Sequence, residues 1–81
     1  MIEKEIKLLF DNGVITSATI VESPVDHGYW IHFTDKTRPL TPLILDTQRG
    51  DRRSFKSLDS CWNTISKIGL KRATISCTRK Q

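Results

Sequence analysis

Apolar side chains recur at every second position over much of this chain, and at helical spacing in one stretch. Ile6, Leu8 and Phe10 alternate, and so do Val14, Thr16, Ala18 and Ile20, which is the period of a half-buried strand. Asp11-Asn12-Gly13 lies between the two runs and predicts a hairpin. A two-residue Asn12-Gly13 loop pairs Phe10 with Ile15 and Leu8 with Ser17. A three-residue Asp11-Asn12-Gly13 loop pairs Phe10 with Val14, Leu8 with Thr16 and Ile6 with Ala18. The second register collects more apolar residues on one face and puts Gly13 at the left-handed position that closes such a loop, so it is preferred. Residues 22–28 read as a loop. Tyr29, Ile31 and Phe33 then share one face and Trp30 and His32 the other, a third strand rich in β-favouring types. Residues 35–42, with Pro39 and Pro42, read as a second loop, 43–47 as a fourth strand, 48–51 as a turn and 52–55 as a short fifth strand.

The helical stretch follows. Leu58, Cys61, Trp62, Ile65 and Ile68 fall on one helical face. Ser57 is placed to cap the N-terminus, Asp59 sits in the first turn and Lys67 in the last, both on the favourable side of the helix dipole, and Gly69 is the expected stop. The pattern predicts a helix over 58–68 with Trp62 in the core. Ala73, Ile75 and Cys77 alternate again as a final strand, and residues 78–81 read as a frayed basic end. The predicted order is β-β-β-β-β-α-β. One helix covers one face of a sheet, so the expected fold is α+β, with an antiparallel or mixed sheet of about five to six strands and one amphipathic helix packed on one face. Large residues on both faces of the third strand imply that the second face is covered by a loop or by another copy of the chain.

Eighty-one residues suit one small domain, 1–81. Hydrophobic residues make up 37% and charged residues 27%, a folded rather than a disordered profile. No apolar run has the length of a membrane span, and the N-terminus has no signal-peptide pattern, so the expectation is a cytoplasmic protein without membrane contact. Cys61 and Cys77 are too few for a disulfide framework and match no zinc spacing, so both read as structural thiols.

Charge changes the picture more. Residues 1–45 carry four bases and six acids, residues 46–81 nine bases and three acids, within a net charge of +4. One-sided positive charge is the footprint of a surface that meets phosphate. Arg49, Arg52, Arg53 and Lys56 lie within eight residues, and Lys71 and Arg72 follow the helix. These six are the candidate nucleic-acid contacts, with Arg79 and Lys80 closing the chain. Alternation puts Arg52, Ser54 and Lys56 on one strand face and Arg53 and Phe55 on the other, with Phe55 inward. Trp30 is a candidate for stacking on a base or anchoring a protein partner. Convergence of the cations on about six phosphates would give a log–log salt slope of roughly −5 on duplex DNA. A solvated basic surface is the alternative reading.

A catalytic reading finds no constellation. His27 and His32 are the only histidines, and no motif ties either to a nucleophile or an acid. Asp26 with Asp35, or Asp46 with Asp51, are arbitrary carboxylate pairs, and no glycine-rich phosphate loop occurs. No metal, cofactor or catalytic residue is expected.

The stretch Arg52-Arg53-Ser54-Phe55-Lys56-Ser57-Leu58-Asp59, followed by Trp62, Ile65, Ile68 and Gly69, resembles small accessory proteins of plasmids and other mobile elements, some of them linked to partition or transfer. The resemblance spans residues 52–69 and implies a bacterial origin and association with DNA. Two functional expectations result: a non-enzymatic nucleic-acid-binding accessory protein, DNA before RNA, and, as the alternative, a protein-interaction module or homo-oligomeric subunit using the strand face around Trp30 and His32.

Overall fold

The computed structural model describes residues 1–76. Its order is α1 (Glu3–Asp11), β1 (Ile15–Glu22), β2 (Tyr29–Asp35), β3 (Arg38–Ile44), α2 (Leu58–Ile68) and β4 (Thr74–Ser76). The strands form one mixed sheet in the order β3-β2-β1-β4. β1 pairs antiparallel with β2 and parallel with β4, and β2 pairs antiparallel with β3. The fold is therefore α+β, as expected, but with four strands and two helices among the described residues.

Three expectations about elements need correction. The first concerns residues 6–10, which form helix α1 and not a strand, so no hairpin runs through Gly13. Leu8 is 62% exposed while Ile6 is fully buried, and Leu9 and Phe10 pack against the core. The effective apolar set is thus Ile6, Leu9 and Phe10, with the i, i+3, i+4 spacing of a helix. Glu3 and Glu5 stand in the first turn, where acids suit the dipole, and the Glu5 carboxylate accepts from the Ile2 backbone N–H at 3.0 Å. Gly13 still adopts the left-handed conformation, at φ 77°, but it closes a helix: its N–H donates to Phe10 O and that of Val14 to Leu9 O.

The second correction is the proline-bearing segment 35–42, most of which belongs to strand β3. Prolines lack the ladder donor, yet β3 is an edge strand with a pairing irregularity between Phe33 and Asp35, the setting in which Pro39 and Pro42 are tolerated. The third is the fifth strand at 52–55, which reduces to two isolated bridges, Asp46 to Arg52 and Tyr29 to Phe55. The turn before it is present, with Gly50 at φ 98°. The final strand does pair into the sheet, over Thr74–Ser76. Cys77, Arg79 and Lys80 lie outside the described residues.

Helix α2 matches its sequence signature. Ser57 Oγ accepts from the Ser60 backbone N–H at 3.2 Å, and Gly69 ends the helix at φ 126°. A Cβ at Gly69 would lie 2.6 Å from the Phe10 ring, so this glycine also lets α1 close on α2. Lys7 on α1 donates to Ile68 O at 3.3 Å, satisfying a carbonyl at the α2 C-terminus.

Both helices lie on one side of the sheet. Ile6 of α1 and Cys61, Ile65 and Ile68 of α2 form one core with the cross-strand pairs Ala18–Phe33 and Ile20–Ile31, closed by Leu45, Phe55 and Leu70. Burial pushes the Cys61 thiol up to about 11, which leaves it a protonated core group. The other side of the sheet shows the pairs Ser17–Thr34, Thr19–His32 and Val21–Trp30, continued by Ile44 on β3 and by Thr74 and Ser76 on β4. No described helix covers it, and no described helix is long and apolar enough to cross a membrane.

The two left-handed glycines separate conformational from packing effects. Gly69→Ala should lower stability by about 1–3 kcal/mol in thermal or urea unfolding, because backbone strain adds to the clash with Phe10. Gly13→Ala, with nothing near its Cβ position, should cost only about 1 kcal/mol.

Candidate nucleic-acid interface

The six candidate cations differ in their partners. They fall into three settings, set by the elements that carry them. Arg52 and Arg53 follow the turn at Gly50 and are held by acids. Arg52 Nη1 donates to Asp46 Oδ1 at 2.6 Å, and Asp46 Oδ2 also takes the Met1 ammonium. Burial alone would raise the Asp46 carboxyl. The hydrogen bonds and charges of the ammonium and Arg52 outweigh that effect and hold it below the ordinary carboxylate range. Arg53 is half-buried. It donates to Glu3 Oε1 at 2.9 Å and lies over the Phe55 ring at 4.9 Å. Lys67 approaches the other oxygen of Glu3 at 3.8 Å. Both arginines thus tie the 45–56 segment to the start of the chain, and their charge is largely spent within the fold.

Arg49 and Lys56 form the second setting. Both are exposed and make no ion pair among the described residues. Lys56 borders a depression of about 460 Å³ with Asp26, His27, Gly28, Ser54 and Phe55. Asp26 there staples a turn: it accepts from the Gly28 backbone N–H at 2.8 Å and from Ser54 Oγ at 3.1 Å, and the Gly28, Ser23 and Ser54 hydrogen bonds keep its carboxyl below the ordinary value. A Cβ at Gly28 would meet Ser54 Oγ at 2.5 Å, so the loop closes tightly on the segment below it.

Lys71 and Arg72 form the third. They follow the α2 stop at Gly69 and run back beside the helix toward β4. With Leu58, Trp62, Ala73 and Ile75 they line a shallow groove of about 490 Å³, and Asp59 is its single acid. Trp62 is 40% exposed, which corrects its expected place in the core. α2 lies over β1 and β2, so the flank of its apolar face that carries Leu58 and Trp62 overhangs the edge at β4. The buried arc extends instead to the opposite margin of the helix, at Thr64, which the hydrophobic pattern skips. The sequence reading missed Trp62 as a surface residue; its place at the margin of the apolar arc was the available signal. Lys71 and Arg72 make no ion pair among the described residues.

Trp30 lies outside the groove that holds Lys71 and Arg72. It stands half-buried on the uncovered sheet face, opposite Val21 and beside His32. Burial, followed by the nearby Arg52 charge, lowers the His32 pKa. Among the described residues, no three His, Cys, Asp or Glu side chains are grouped so as to hold a metal ion. Comparison with protein-family models, with curated proteins and with solved structures returns no match.

Two measurements test these placements. Trp62→Ala should cost roughly 1 kcal/mol or less, whereas Ile65→Ala, fully buried on the same helix, should cost roughly 2–5 kcal/mol. His32 is easier to protonate in the unfolded chain than in the fold, so its contribution to stability is complete above the unfolded pKa of 6.5 and is lost as pH falls through the lower folded value. Urea unfolding between pH 7.5 and 5 should show this loss, and His32→Gln should flatten it.

Proposed function

We propose that this protein is a non-enzymatic, cytoplasmic accessory protein that binds nucleic acid, DNA before RNA. The observation that carries the reading is the groove between α2 and β4, which an exposed tryptophan lines together with two cations that make no described ion pair. Phosphate attracts Lys71 and Arg72, and the face of Trp62 is a stacking platform for a base. A stacked base inside a duplex offers no face to such a ring, so an unpaired strand fits the groove better than a duplex. Asp59 on the rim opposes phosphate and limits where the backbone runs. The preference for DNA rests on the resemblance of residues 52–69 to accessory proteins of mobile elements.

Arg52 and Arg53 leave the contact set, because their partners Asp46 and Glu3 already neutralise them. Arg49, Lys56, Lys71 and Arg72 remain. Trp30 is reassigned from base stacking to the uncovered sheet face.

Titration of fluorescent single-stranded and duplex oligonucleotides tests the reading. Four phosphate contacts predict a log–log salt slope of roughly −3.6 on duplex and roughly −2.8 on a single strand. Lys71→Glu with Arg72→Glu should abolish binding, and Trp62→Ala should weaken single-strand binding by about 1–3 kcal/mol while leaving duplex binding nearly unchanged. Absence of binding at low salt, or full binding by the double charge reversal, overturns the proposal.

A further inference from the structure

We infer that the groove at Trp62 continues past Lys71 and Arg72 into a second depression, and that its ligand is a short single strand whose backbone ends there. The inference rests on the reading of that groove as a nucleic-acid site. The second depression, of about 440 Å³, is bordered by Thr16, Ser17 and Thr74 and shares Lys71, Arg72 and Ala73 with the groove.

The topology of the sheet opens this depression. Among the described residues, β4 pairs with β1 from Thr19 to Val21, although β1 begins at Ile15. No backbone hydrogen bond joins residues 71–73 to Thr16, Ser17 or Ala18. The chain that leaves Gly69 therefore runs beside the start of β1 without closing on it, and a gap stays in the sheet edge. Thr16, Ser17 and Thr74 are exposed, and their hydroxyls can donate to phosphate and sugar oxygens.

Charge gives the strand its direction. Asp59 stands in the groove at Trp62, whereas no acid lines the second depression. The opposite course along β1 leads to Glu22. Phosphates that follow a base stacked on Trp62 are therefore drawn over Lys71 and Arg72 toward Thr16 and Ser17. Asp35, opposite Ile15 on β2, ends the acid-free run. Ile20 at the groove and Thr16 at the depression lie roughly 13 Å apart at about 3.3 Å per strand residue. A stacked strand covers that distance in about four nucleotides at ~3.4 Å each, and an extended strand in fewer.

Amide chemical shifts of the full chain, titrated with a thymidine dinucleotide and a thymidine hexanucleotide, test this path. The dinucleotide should shift Trp62, Lys71 and Arg72, and the hexanucleotide Thr16 and Ser17 as well. Ser17→Glu should weaken hexanucleotide binding roughly threefold or more. Ser17→Lys should tighten it and steepen the single-strand salt slope by about 0.7. Opposite responses at one exposed position, with melting curves of both variants, separate phosphate contact from loss of the fold. A hexanucleotide that shifts Trp62, Lys71 and Arg72 but not Thr16 and Ser17, or that is indifferent to both Ser17 variants, overturns the continuation and leaves the groove standing. One that shifts none of these residues overturns both. Inorganic polyphosphate binding as tightly as the hexanucleotide overturns the single strand as occupant.

Discussion

A four-stranded sheet has two faces, and this chain places its fully apolar side chains on one of them. Ile6, Cys61, Ile65 and Ile68 come from the two helices, and Ala18, Ile20, Ile31 and Phe33 from the central strands. The tight approach of Phe10 to Gly69 locks the helices side by side above the same strands. The opposite face is left with threonines, serines, one tryptophan, one histidine and the half-buried Val21 and Ile44. The width of two helices also falls short of the sheet, so the strand beyond β1 lies outside their cover and Trp62 overhangs it. Bare face and lateral groove are both consequences of how far that single core extends.

The distribution of positive charge follows the same logic of attachment. The segment between β3 and α2 has little apolar material with which to hold itself down; Leu45 and Phe55 anchor it, together with backbone bridges and ion pairs. Arg52 reaches Asp46, and Arg53 reaches Glu3 across 50 residues of sequence. Cations that serve as staples are poor phosphate ligands, because a ligand must compete with a carboxylate already in place. Lys71 and Arg72 have no such duty among the described residues, and they line the same groove as the exposed indole.

Local signals were legible in the sequence; long-range ones were not. Helix α2 could be read almost residue by residue, because Ser57, Asp59, Lys67 and Gly69 act within a turn or two of themselves. Helix α1 was misread, because Ile6, Leu8 and Phe10 fit a strand while Ile6, Leu9 and Phe10 fit a helix, and only the exposure of Leu8 decides between them. Pro39 and Pro42 argued against a strand, which holds for the middle of a sheet and fails at its edge. Trp62 sits on the correct arc of its helix, but the arc is wider than the surface it covers. The candidate cations were identified by type, whereas their sorting into staples and unpaired charges depends on Glu3 and Asp46, which no local pattern connects to them.

Strand β3 carries one more consequence. Two of its seven residues are prolines, so its outer border lacks regular donors for a further strand. The other border is β4, three residues long among the described residues. Fibrous growth by backbone pairing needs two edges that each accept the next molecule, and the edge at β3 is interrupted. The prolines of β3 thus help to protect a small domain with a bare face from polymerising through that border.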